Sequence, residues 1–260
     1  MADIIDGNNA DDKIYRRTGF SSTVSSSFSS STTGPAGVEW DGENVYVAEN
    51  TNNRIEKHTG FSSTISSSIS GQSTQTNDVS RREDGLIEAS AFVDKIYLHY
   101  GLTASIKLSI SSPASNVYGV VWGRASVLET NNLVSCDSTM AKNYIHGGFS
   151  STIHSSYASG NTSTGVTWDG TNLYGQKAQA TAEQHLKFTG VSASITDSYS
   201  VSTGNRGITI SSRNLPATWN ATTAEATADG LIPVVTGTEG TEIFTYWAYH
   251  NTRMRHRIRR

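Results

Sequence analysis

One turn keeps returning along this chain. Gly19, Gly60, Gly101, Gly148 and Gly190 stand 41, 41, 47 and 42 residues apart. Each is followed by an alternating Ser/Thr-rich segment: STVSSSF, STISSSI, ASIKLSI, STIHSSY and ASITDSY. That interval is the length of a propeller blade, roughly 40–50 residues. A unit of a few short strands has two apolar faces and cannot bury either alone, so repeated units must stack.

Residues 34–61 show the unit best. Segments 37–40, 44–48 and 54–59 are rich in Val, Tyr, Trp and Ile, while Asp41-Gly42 and Asn52-Asn53 supply tight turns, so the stretch reads as a meander of hairpins. The first strand of each unit is expected at 37–40, around 80–83, and at 119–122, 165–168 and 207–210. The second follows as Asn44-Val45-Tyr46, Val127-Leu128-Glu129, Asn172-Leu173-Tyr174 and Asn214-Leu215. The chain opens on an outer strand pair and its repeats close on an inner pair. The expectation is therefore an all-β, five-bladed propeller over residues 1–219, its last blade built from 207–219 with 13–30, a strand-sharing closure that removes two open edges. Residues 181–187 give at most a turn or two of helix.

The first copy resembles the NHL-type propeller repeat. Pro35, Gly37, Val38, Asp41, Asn44, Val45, Tyr46, Val47, Ala48, Asn53, Arg54 and Ile55 carry the likeness. The other four copies depart progressively from it, and NHL-type rings commonly have six blades. The resemblance implies architecture and says little of function.

Residues 220–260 lie outside the repeat. Segments 231–235 and 242–249 read as a β-hairpin around 236–240, followed by an arginine-rich strand. The last ten residues, NTRMRHRIRR, hold five arginines and no acid, which leaves 15 basic against 23 acidic groups in the other 250. An acidic body thus carries a basic end. Arg253, Arg255, Arg257, Arg259 and Arg260, with Phe244, Tyr246 and Trp247 beside them, are the expected partner-docking residues. An acidic protein surface is the expected partner, and nucleic acid is disfavoured because the run alternates with Met254 and Ile258.

The charged stretch DVSRREDG at 78–85 falls where an inner strand should lie. Unpaired burial of its charges would cost several kcal/mol each, so it is expected to leave the core as a polar rim loop, with Arg81, Arg82, Glu83 and Asp84 as possible binding residues. The Asp-Gly-x-Asn turns, with one carboxylate each, read as turns rather than calcium loops. His58, His99 and His146 share a position two residues before the marker glycine. They read as structural or solvated, because equivalent strands of different blades are too far apart to share an ion. Trp40, Trp122 and Trp168 read as packing between blades. No nucleophile–base pair, His-Glu-x-x-His or phosphate-binding glycine loop is present. No catalytic residues, metal or cofactor are therefore expected.

The single cysteine excludes an intrachain disulfide framework, and neither a secretion signal nor a membrane-spanning run is visible. A Ser/Thr/Asn/Gly-rich, helix-poor chain of eroded short repeats is similar to bacteriophage virion proteins, particularly tail, fibre-attachment or decoration components. That resemblance implies a virion location after assembly in the host cytoplasm, other virion subunits as partners, and a rim open to host-surface glycan. The expected function is a non-enzymatic assembly protein. The alternative is a soluble carbohydrate-binding or lactonase-like propeller acting alone.

Overall fold

The computed structural model describes residues 2–31, 33–123, 132–159, 163–178 and 183–211 in full. It describes 231–234, 238–239, 242–243 and 246–249 as backbone. The chain divides into two compact units, Met1–Ala217 and Thr218–Arg260.

Five four-stranded antiparallel sheets build the first unit. Blade I contains β1 (Ile4–Asn8), β2 (Lys13–Arg17) and β3 (Val24–Ser29). Blade II is β4 (Pro35–Trp40), β5 (Val45–Glu49), β6 (Arg54–His58) and β7 (Ile65–Ser70). Blade III is β8 (Asp78–Arg82), β9 (Gly85–Ser90), β10 (Lys95–His99) and β11 (Ile106–Ser111). Blade IV is β12 (Val117–Gly123), β13 (Asn132–Asp137), β14 (Lys142–His146) and β15 (Ile153–Ala158). Blade V is β16 (Ser163–Trp168), β17 (Leu173–Lys177), β18 (Glu183–Phe188) and β19 (Ile195–Val201). The chain then returns as β20 (Asn205–Ile210), which pairs with β1 and completes blade I in the order β20-β1-β2-β3. The protein is a five-bladed β-propeller.

Strand sharing closes the ring, but the division differs from expectation. The C-terminal side contributes one strand and the N-terminal side three, because Ile4–Asn8 fills the second slot with Ile4 opposite Ile210 and Asp6 opposite Ile208. Both faces of β1 are buried, so this slot needs the apolar Ile4-Ile5 pair. Asn214-Leu215, expected there, lies outside the described residues. In blade IV the second strand is Asn132–Asp137 rather than 127–129, and the longer 47-residue interval reflects extra chain between β12 and β13. Of residues 181–187, read as at most a turn or two of helix, 183–187 belong instead to the third strand of blade V.

The marker glycines have φ between 56° and 72°. A side chain is strained in that conformation, which is why the hairpin between third and fourth strands repeats its glycine. An Asn or Asp at the start of the second strand locks the same hairpin. Asn44, Asn132, Asn172 and Asp3 accept from the amides of Gly60, Gly148, Gly190 and Gly19 at 3.1–3.4 Å. Blade III has Gly85 in this place, and it bridges directly to Gly101.

The core lies between blades. Trp122 packs with Ile87, Ile96, Leu98, Val120 and Leu133 between blades III and IV, and Trp168 with Val121, Cys136, Leu173 and Phe188 between IV and V. Each fully buried Leu or Ile contributes about 1.5–3 kcal/mol. The tryptophans therefore serve inter-blade packing as expected.

In the second unit, β21 (Leu231–Val234) pairs antiparallel with β24 (Tyr246–Tyr249), and between them β22 (Thr238–Glu239) pairs with β23 (Glu242–Ile243). The two pairings are those of an antiparallel hairpin. Tyr246 and Trp247 sit on β24. Phe244 and the arginines at 253–260 lie outside the described residues.

Candidate functional site: the ring axis and its polar lining

The innermost strands β4, β8, β12, β16 and β20 surround the axis, and glycine sets how closely they approach. A methyl added at Gly207 would lie 2.4 Å from Gly37 Cα, and one at Gly165 would lie 3.1 Å from Gly207 Cα. One at Gly119 would stand 2.9 Å from Gly165 Cα. Blade III has Asp78 in the equivalent place. Its Cα would lie 2.4 Å from a methyl at Gly37, and its carboxylate accepts from the amides of Val79 (2.9 Å) and Val120 (2.8 Å). These contacts run around the ring in the order I, II, III, IV, V and back to I.

Two residues further along the same strands stand Glu39, Ser80, Val121, Thr167 and Thr209, none more than 2% exposed. An innermost strand is an edge whose outward amides have no ladder partner. Side chains of the preceding blade supply one. Ser80 Oγ accepts from Trp122 N at 3.1 Å, Glu39 Oε1 from Arg81 N at 3.4 Å, and Thr209 Oγ1 from Trp40 N at 3.4 Å. Thr209 in turn donates to Glu39 Oε2 at 3.2 Å. These side chains thus join blade to blade around the axis.

The charged stretch at 78–85 is corrected by the same geometry. It does not leave the core: Asp78–Arg82 is the innermost strand of blade III, buried along most of its length. Its charges are tolerated because each has a partner. Arg81 pairs with Asp41 of blade II at 3.0 Å, Arg82 lies 4.6 Å from the Trp122 ring and pairs with Asp84 at 2.9 Å, and Lys107 reaches Asp84 at 2.5 Å. Arg81 is buried; Arg82, Glu83 and Asp84 are half-buried at the β8–β9 turn.

The repeated histidines are structural and fully buried. His99 bridges the Thr103 carbonyl (2.9 Å) and Glu88 (2.9 Å), while His146 bridges the Ser150 carbonyl (2.8 Å) and the Ser135 hydroxyl (2.8 Å). His58 Nε2 stands 3.5 Å from Glu56. In blade I, Arg17 takes this position, binding Asp6 and, at 3.1 Å, the Ser22 carbonyl. Blade V has Phe188 there and Gly175 on the adjoining strand β17, where a methyl would meet the Phe188 ring at 3.0 Å. The ring occupies the space that a second-strand side chain fills elsewhere. The Asp-Gly-x-Asn turns also behave as expected. Asp41 and Asp169 each accept from two backbone amides at 2.6–2.9 Å and from the hydroxyl of Tyr46 or Tyr174.

One inter-blade surface differs in chemistry. At the position that Ile14, Ile55 and Ile96 occupy on third strands, blade V has His185, with Gln176 and Tyr199 opposite it. His185 Nδ1 is 2.5 Å from the Tyr199 hydroxyl and its Nε2 is 3.9 Å from Asp6 of blade I. Burial and the nearby Arg17 push the His185 imidazole well below its usual range. Burial raises the Asp6 carboxyl to about 6 against the pull of Arg17. Burial likewise lowers His146 and raises the Cys136 thiol to about 12. Sequence reading missed this cluster because its members are scattered over residues 6–199. The departure from the Ile of three other copies is the signal that could have found it.

No group of three His, Cys, Asp or Glu among the described residues could hold a metal ion. No helix among the described residues is long and apolar enough to cross a membrane. No family model and no curated protein matches the sequence. Among solved structures, the chain is similar to one titled "Crystal Structure of Mitotic Checkpoint Complex", at TM-score 0.49 and 16% identity, covering 75% of this chain and 60% of that one. It is also similar to Kuenenia stuttgartiensis hydrazine synthase, at TM-score 0.46 and 9% identity, covering 65% of this chain and 49% of that one. The chain spans about half to three-fifths of those structures' length. The propeller assignment rests on the strand order and ring contacts above.

Proposed function

We propose that this chain is a non-enzymatic structural protein of a virion, a rigid propeller disc held in a larger assembly by its C-terminal segment. The observation that carries the non-enzymatic reading is the use made of the axial polar groups. Glu39, Ser80, Asp78 and Thr209, polar side chains of the axial strands, hold the amides of the next blade. Charge separation supports the docking half, since residues 251–260 bring five arginines to a chain otherwise rich in acid. Arg253, Arg255, Arg257, Arg259 and Arg260, backed by Phe244, Tyr246 and Trp247, are the docking residues of this reading, and an acidic protein surface is their partner.

The test is recovery with particles. Full-length chain and a chain lacking 220–260 are each expressed during particle production, and gradient-purified particles are analysed by quantitative mass spectrometry. The full chain is expected in the particles and the truncated chain depleted at least tenfold. Equal recovery of both, or absence of the full chain from particles, overturns the proposal.

A further inference from the structure

Arg206 and Tyr118 meet across the mouth of the axis. Arg206 lies on β20 of blade I, Tyr118 lies on β12 of blade IV, and the guanidinium carbon is 5.9 Å from the ring centroid. Blades I and IV are not neighbours, because blade V separates them on one side and blades II and III on the other. A contact between them therefore spans the axis. Each side chain is half-buried. Thr164 takes the same position on β16 of the intervening blade, and its hydroxyl is buried without a hydrogen bond among the described residues. Asn77, in the same position on blade III, accepts from Ala91 N at 3.1 Å, and Ala36 completes the ring. One arc of the mouth thus holds a guanidinium, a phenol and a hydroxyl.

Arg206 stands apart from the other arginines of the inner strands and their neighbours. Arg16, Arg17, Arg54, Arg81 and Arg82 each hold a carboxylate, whereas Arg206 has no such partner among the described residues. A guanidinium keeps its proton at any physiological pH, and contact with an aromatic ring does not use up its N–H donors. Those donors match the two oxygens of a carboxylate.

We propose that the axial mouth binds a small carboxylate-bearing ligand, with Arg206 taking the carboxylate and Thr164 and Tyr118 offering hydroxyls to its other oxygens. A monoanion fits better than a phosphate dianion. Asp78 and Glu39 stand one and three positions deeper on the innermost strands, and a second negative charge would meet their repulsion. This inference is independent of membership in an assembly, since it concerns only the inner strands of the propeller.

The experiment is an NMR titration of the full chain with glucuronate, glucose and inorganic phosphate, reading the Arg206 Nε–H and the amides of β12, β16 and β20. Glucuronate is expected to give saturable shifts at these positions, glucose none, and phosphate weaker ones. Arg206→Gln should lower glucuronate affinity about tenfold or more, through loss of the charge-assisted pairing with the carboxylate. Thr164→Val, which retains the side-chain shape, should lower it less. Unchanged amide positions elsewhere show that each variant keeps its ring. No saturable glucuronate shift, an affinity unaltered by Arg206→Gln, or tighter binding of phosphate overturns the proposal.

Discussion

Gly207 shows how much a single absent side chain decides. A methyl there would stand 2.4 Å from Gly37 Cα and 2.6 Å from Val38 N, both backbone atoms that no rotamer change can move aside. Gly207→Ala is therefore expected to cost about 3 kcal/mol or more, through displacement of blade I from blade II. Gly42 offers the comparison: its φ is +98° but nothing lies within 4 Å of an added methyl, so Gly42→Ala should cost only about 1 kcal/mol. Urea unfolding of the two variants separates them, and equal costs would contradict close packing at the axis. The glycines opening Gly-Val-x-Trp were legible as strand starts, because turn and strand chemistry are local. Their steric purpose was not, since it depends on the inner strand of another blade. Asp78 was misread for the same reason: its partners at Val120 and its neighbour at Gly37 belong to other blades.

Elements that share local chemistry were the readable ones. The hairpin between third and fourth strands has the same glycine in every blade, and each of those pairings also carries a register shift at its start. Such bulges twist the exposed outer strands at the ring's edge and discourage further pairing. The inner strand of blade III was unreadable because its apolar pattern is replaced by charges neutralised from other strands. The surface between blades V and I, a seam lined by residues from both ends of the propeller's sequence, was equally hidden, and it makes a prediction about pH. His185 is held neutral by burial, so the folded protein refuses a proton that the unfolded chain accepts near pH 6.5. Its effect on stability is absent above that pH and grows as pH falls below it, up to about 1.4 kcal/mol per unit. His146 acts with the same sign. Asp6 acts oppositely, because its folded carboxyl keeps a proton up to about pH 6, so its contribution improves as pH falls from 6 towards 4. His185→Ile installs the residue that blades I, II and III have. Its stability relative to the parent should rise by about 2 kcal/mol between pH 7 and pH 5 in urea titrations. Parallel curves for parent and variant would show that the seam histidine does not titrate on unfolding.

At the scale of the molecule, blade number and strand-sharing closure were visible in the sequence because five marker turns and an unmatched start and finish allow few alternatives. The division of blade I was not, since Ile4–Asn8 shows its strand character only when Ile4-Ile5 is placed against Ile210 and Arg17. The proposed function has two separable parts: a propeller sufficient for its own folding, and a basic C-terminal segment proposed to make the outside contacts. Their separation is measured by comparing Met1–Ala217 with the full chain in thermal unfolding and in binding to the partner surface recovered from particles. The shorter chain is expected to be monomeric, to melt in one cooperative transition within a few degrees of the propeller in the full chain, and to lose that binding. A shorter chain that fails to fold, or that folds and binds as well as the full one, would contradict the account.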